Sequence, residues 1–161
     1  MILMRDTEKQ EFTRRITQAN RSQLLVILYE MTVCYIGDAE KALKDNSISD
    51  FHKQVSNIRN CINELMGTLD LKYRPSVQLL ELYVYISREL IAADIHRDEE
   101  ALGHIRMIIE KLRDAYAKAS VSDGSAPLVD NARQVYAGLT YGRDRKNEDI
   151  VRPEGGCEFN A

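Results

Sequence analysis

Three histidines and three cysteines are the residues of this 161-residue chain with the readiest chemistry, and their spacing decides what they could do. A di-iron centre in a helical bundle needs inward glutamates and Glu-x-x-His pairs, which set both ligands on one helix face. No glutamate here has a histidine three residues on, and His52, His96 and His104 are scattered. Asp94 and His96 are near enough to share a metal by chance, but read more simply as a solvated pair near a helix end. Phosphotransfer would want an exposed histidine with lysine and glycine beside it on one helix. His104 follows Gly103 but leads into Ile105 and Arg106, a poor match. Cys34, Cys61 and Cys157 are odd in number with no C-x-x-C spacing, which predicts a reduced, cytoplasmic setting and neither zinc nor a disulfide framework. Cys34 and Cys61 stand near apolar helical stripes, as small buried residues do. Asp38 and Asp94 fall beside apolar rows, at helix edges rather than as a catalytic pair. No Walker loop, G-x-G-x-x-G or C-x-x-C-H occurs. The expectation is no enzyme, no cofactor and no metal.

The elements that carry these residues are helices. Glycine and proline are sparse up to Ser120 and frequent after it, which divides the chain into a helical domain over 1–120 and a largely irregular tail over 121–161. Four helices follow from apolar spacing and end signals. The first opens at Asn20, with Gln23 as its capping-box partner. The second opens at Ser47–Asp50, the third carries Pro75 in its first turn, and Asp98 caps the fourth. Connections around 45–47, 71–74 and 96–97 are too short for anything but antiparallel neighbours. The predicted fold is all-α, an up-down-up-down four-helix bundle preceded by a short amphipathic segment holding Phe12 and Ile16. Lys and Arg total 22 against 25 Asp and Glu, a balance unlike that of a nucleic-acid binder. No apolar run reaches the ~20 residues of a membrane span, and the charged start is not a secretory signal.

Two of the helices hold more apolar surface than an outer bundle helix buries, which is one stripe of somewhat over 100°. The first has a row of Leu24, Leu28, Met31 and Tyr35, and beside it Leu25, Tyr29, Ile36 and Leu43. The third has Leu79, Tyr83, Ile86 and Leu90, and beside it Val77, Leu80, Val84, Ile91 and Ile95, with Tyr85 on another face. Either other parts of the chain cover the second rows, or a partner's helix or extended peptide docks on them. Leu25, Tyr29, Ile36, Leu80, Val84, Tyr85 and Ile91 are the partner-contact candidates.

Asn20-Arg21-Ser22-Gln23-Leu24 with Ile27-Leu28-Tyr29-Glu30 resembles the opening helix of the flagellin-specific export chaperones (FliS). Ile62-Asn63-Glu64-Leu65 with Thr68-Leu69-Asp70, then Leu82-Tyr83-Val84-Tyr85-Ile86, then Leu112-Arg113-Asp114-Ala115-Tyr116 are similar to that family's later motifs, in its order and spacing over about 18–120. The resemblance implies a cytoplasmic bundle that binds the disordered C-terminal segment of flagellin. Such a bundle prevents premature polymerisation and presents the segment to the flagellar export gate. The chain departs from the family in having no tyrosine before Tyr29, no tryptophan, and a longer tail. In place of a tyrosine-bearing cover it offers Phe12 and Ile16, or Val135, Tyr136, Leu139 and Tyr141 in the tail, as self-covering residues. Two alternatives stand beside this: an adaptor that dimerises through the spare rows, and a phosphotransfer or metal bundle using His104 or His96. Monomer and homodimer both remain open.

Overall fold

A computed structural model describes residues 6–128 of the chain. Five helices occur there, α1 (Asp6–Gln18), α2 (Arg21–Lys44), α3 (Ile48–Gly67), α4 (Arg74–His96) and α5 (Glu99–Ser120), and no strand among the described residues. The start signals act as their chemistry predicts. The Asn20 side chain accepts from the Gln23 amide at 2.9 Å, while the Asn20 amide donates to Gln23 Oε1 at 3.1 Å, so two otherwise orphaned donors are satisfied. Asp98 Oδ1 accepts from the Ala101 amide at 3.1 Å, and Pro75 stands in the first turn of α4. Ser47 is the exception: its hydroxyl donates to the Asp50 carboxylate at 2.7 Å instead of capping the backbone. Between α4 and α5 the chain reverses through Arg97, in the left-handed region at φ 54°.

Side-chain pairs fix the helix directions. Arg21 at the start of α2 donates to the Thr68 carbonyl just past α3, at 3.0 Å. His52 early in α3 meets Asp94 late in α4 at 2.6 Å, and Glu40 late in α2 pairs with Arg106 early in α5 at 2.8 Å. Neighbours therefore run antiparallel, in a ring where α2 touches α3 and α5, and α4 closes between the same two. Gly37 belongs to the α2–α5 contact, since a Cβ there would stand 3.2 Å from Arg106 Nη2.

Within the ring, α3 supplies Phe51, Ile58, Ile62 and Leu65 and α5 supplies Leu102, Ile105 and Ile109, all fully buried. Across the centre the hydroxyls of Tyr29 (α2) and Tyr83 (α4) hydrogen-bond to each other, and Tyr116 of α5 lies 5.5 Å from the Tyr29 ring, centre to centre. Burial pushes the Tyr29 hydroxyl far up and Tyr83 up to about 12. The buried Thr32 hydroxyl is likewise satisfied, donating to the Leu28 carbonyl at 2.7 Å.

After α5 the segment 121–128 is irregular but tied down. Asn20 Nδ2 donates to the carbonyls of Asp123 (3.2 Å) and Ser125 (3.4 Å), the Ser22 hydroxyl donates to the Asp123 carboxylate, and the Leu128 amide donates to the Ala19 carbonyl at 3.1 Å. Hydrogen bonds from Ser22 and Ser125 hold the Asp123 carboxyl below its ordinary range.

Removing one phenol strands the other in the core. Tyr83→Phe should cost about 1–3 kcal/mol in urea unfolding at pH 7, and the Tyr29→Phe/Tyr83→Phe pair no more than the single change. A neutral phenol whose pKa is raised on folding stabilises fully below its unfolded value of 10.0 and loses that contribution as pH climbs through the folded one. The thermal midpoint should therefore fall between pH 10 and 12, and less steeply in the double variant. Asn20→Ala, which removes both the cap and the tie to 123–125, should cost about 1–2 kcal/mol by the same urea measurement.

Candidate partner-binding surface

Leu79, Tyr83, Ile86, Leu90 and Ala93 of α4 face the core, fully or partly buried. At 100° per residue, Val77, Leu80, Val84, Ile91 and Ile95 form a second row roughly 140° round the same helix. Among the described residues no helix packs along that side, since the helices lying along α4 are α3 and α5. Val84 is accordingly 37% exposed, Ile91 50% and Ile95 70%, with Val77 exposed and Leu80 half-buried. Tyr85, 40% exposed, widens the stripe toward α5, where its ring meets His104 edge-on at 6.4 Å. From Val77 to Ile95 the stripe runs roughly 27 Å at 1.5 Å per residue. An apolar strip of that length on a water-facing helix has the character of an interaction surface.

Three of the seven contact candidates thus stand exposed together: Val84, Tyr85 and Ile91, with Leu80 half-buried among them. The α2 candidates do not share that surface. Tyr29 and Ile36 are fully buried, and Leu25 is packed partly buried against the core. The row of α2 read as spare is its core row, and the Leu24–Leu28–Met31–Tyr35 row lies half-buried on the flank. Contacts explain the correction: α2 is packed by α3, α5 and α1, so it covers far more than one stripe. Phe12 and Ile16 are half-buried on α1, which lies along α2, where Arg15 pairs with Glu30 at 2.5 Å. Val135, Tyr136, Leu139 and Tyr141 lie outside the described residues.

Sequence reasoning missed a second feature, at the end of the bundle where α2 begins. A cavity of about 340 Å³ there is lined by Leu25, Leu69, Tyr73, Tyr83 and Tyr116 among others. Tyr73 and Leu71 of the α3–α4 connection are well exposed beside it. A connection has no periodicity to reveal them, although two large apolar residues in so short a polar link were a usable sign.

Reactive groups do not gather at either place. Cys61 is buried as expected, whereas Cys34 stands exposed on α2. Desolvation nevertheless pushes both thiols up, Cys34 further by Glu8, Asp38 and Glu30, and a thiol so shifted carries little thiolate. Asp94 reaches across to His52 on α3, not along its own helix to His96. Among the described residues no three His, Cys, Asp or Glu are grouped to hold a metal ion, and no helix is long and apolar enough to cross a membrane. The surface can bind by shape and burial alone.

Comparison with known proteins agrees with that character. A family model described as "Flagellar protein FliS" matches residues 4–123. The "Flagellar secretion chaperone FliS" of Bacillus subtilis (strain 168) is 25% identical over 108 residues, covering 67% of this chain and 81% of the relative. With the match running from α1 to just past α5, the chain belongs to the FliS family, a family of flagellar export chaperones and not of enzymes.

Proposed function

We propose that this chain binds the C-terminal segment of flagellin in the cytoplasm, keeps it from polymerising prematurely, and presents it to the export gate. The observation that carries this reading is the open apolar stripe on α4, from Val77 to Ile95. A flagellin terminus that orders only inside a filament is disordered and apolar while free, and in that state it aggregates. Laying it on a preformed bundle removes its apolar face from water, while the ordering entropy offsets part of the gain. The bundle needs no chemistry for this, only a rigid helix whose outward side chains match the i, i+3, i+4, i+7 anchors of an amphipathic partner.

Calorimetric titration of the full chain with a flagellin C-terminal peptide should show one peptide per chain and a negative heat-capacity change. Ile91→Asp and Val84→Asp, both at exposed positions, should each weaken binding at least about tenfold while the thermal midpoint stays put. Peptide affinity indifferent to both changes would remove α4 from the binding surface.

A further inference from the structure

We infer that the cavity at the end of the bundle where α2 begins receives the free carboxyl end of the flagellin segment, with Tyr83 and Arg21 donating to the carboxylate. The identity of the occupant rests on the reading of α4 as the flagellin site; the cavity's demand for a hydrogen-bond acceptor does not.

That demand comes from the protons of the central phenols. Tyr29 and Tyr83 share one hydrogen bond, which uses the O–H of one and an oxygen lone pair of the other. The second O–H meets no acceptor among the described residues. If Tyr29 carried it, the proton would be sealed in the core, because Tyr29 is fully buried and has no part in the cavity wall. A buried donor left without an acceptor costs its whole desolvation penalty. Tyr29 therefore donates to Tyr83. Burial raises both phenols, and the bond adds to the rise at Tyr29 while offsetting part of it at Tyr83, as suits donor and acceptor. The unused proton then belongs to Tyr83, which does line the cavity. Whatever fills the cavity satisfies the core by presenting an oxygen there.

Arg21 makes that oxygen an anionic one. It stands in the same wall, gives an N–H to the Thr68 carbonyl at 3.0 Å, and has further N–H groups to offer. Among the described residues it pairs with no carboxylate. Hydrogen bonds to an ionised acceptor are about twice as strong as those to a neutral carbonyl. Leu25, Leu69, Tyr73 and Tyr116 line the remainder with apolar surface for the adjoining side chain. At about 340 Å³ the space is near the small end of ligand pockets, roughly 300–1,000 Å³, which suits the tip of a chain and not a helix. Asp70 is the one opposing group, an exposed carboxylate in the wall whose Oδ1 accepts from the Lys72 amide at 3.1 Å. Position completes the assignment. Ser76 lines the cavity, and Val77, the next residue, opens the α4 stripe. A segment laid along α4 from Ile95 to Val77, antiparallel to it, brings its last residues to the cavity. A main-chain carboxylate beside an apolar side chain exists only at a C-terminus, and the proposed cargo is a C-terminal segment.

Calorimetric titration of the full chain should compare the flagellin C-terminal peptide as free acid, as C-terminal amide, and extended past its natural end by Gly-Ser-Gly-Ser. The amide and the extended form should each bind about tenfold more weakly or worse. Arg21→Gln should weaken the acid and leave the amide unchanged, closing most of that gap. Asp70→Asn should strengthen the acid several-fold and leave the amide where it was. Three peptide forms of equal affinity would overturn the carboxyl site, with the proposed function left standing. If no form binds, the proposed function falls and a smaller probe judges the cavity alone. N-acetyl-leucine at about 10 mM should then shift the ring signals of Tyr73 and Tyr116 in NMR spectra far more than N-acetyl-leucinamide does. Equal responses to the two, or none to either, would overturn the inference.

Discussion

An antiparallel ring of four helices covers each member only as far as its neighbours reach, and the apolar girth of the members here is unequal. The consequences follow from how contacts are shared. α2 is packed by α3, α5 and α1, and its central tyrosine touches α4 across the middle, so a helix that is greasy over most of its circumference is still covered. Among the described residues α4 has α3 and α5 lying along it, and it has nearly as much apolar surface. The difference appears as the strip from Val77 to Ile95. Packing one side of α4 fixes the bundle, and the other side is left uncovered by the described residues.

The core supplies the rigidity such a strip needs. A phenol pair at the centre, one hydroxyl donating to the other, ties α2 to α4 across the ring where no continuous helix contact does. Polar groups in this position are costly when unpaired, so they select one arrangement of the helices over slipped alternatives. The strip on the far side of Tyr83 is held in place by the same residue's inward face. A preformed surface leaves the ordering entropy of any association to the partner.

Local signals were readable from the chain itself: Asn20 with Gln23, Pro75 and Asp98 each act within four residues of their own position, and each opens the helix they announce. The α4 strip was legible too, because its two rows lie on nearly opposite faces and only one can point inward. The α2 rows were not. They lie side by side, and which of them takes the centre depends on where α1, α3 and α5 settle, a fact no spacing within α2 encodes. Tyr29 and Ile36 consequently read as surface and are core. Tyr73 was missed for a different reason, since its place beside the end cavity is set by the meeting of three helix ends.

Asn20 starts α2 with its carbonyl oxygen and grips the returning chain at 123 and 125 with its amide nitrogen, while Ala19 next to it receives the Leu128 amide. Helix ends are usually where local opening begins, each fraying independently of the others. Here the entry to α2 and the exit from α5 are knotted at one side chain. Peeling either away breaks bonds to the same side chain, so the two ends of the four-helix ring are coupled at their opening.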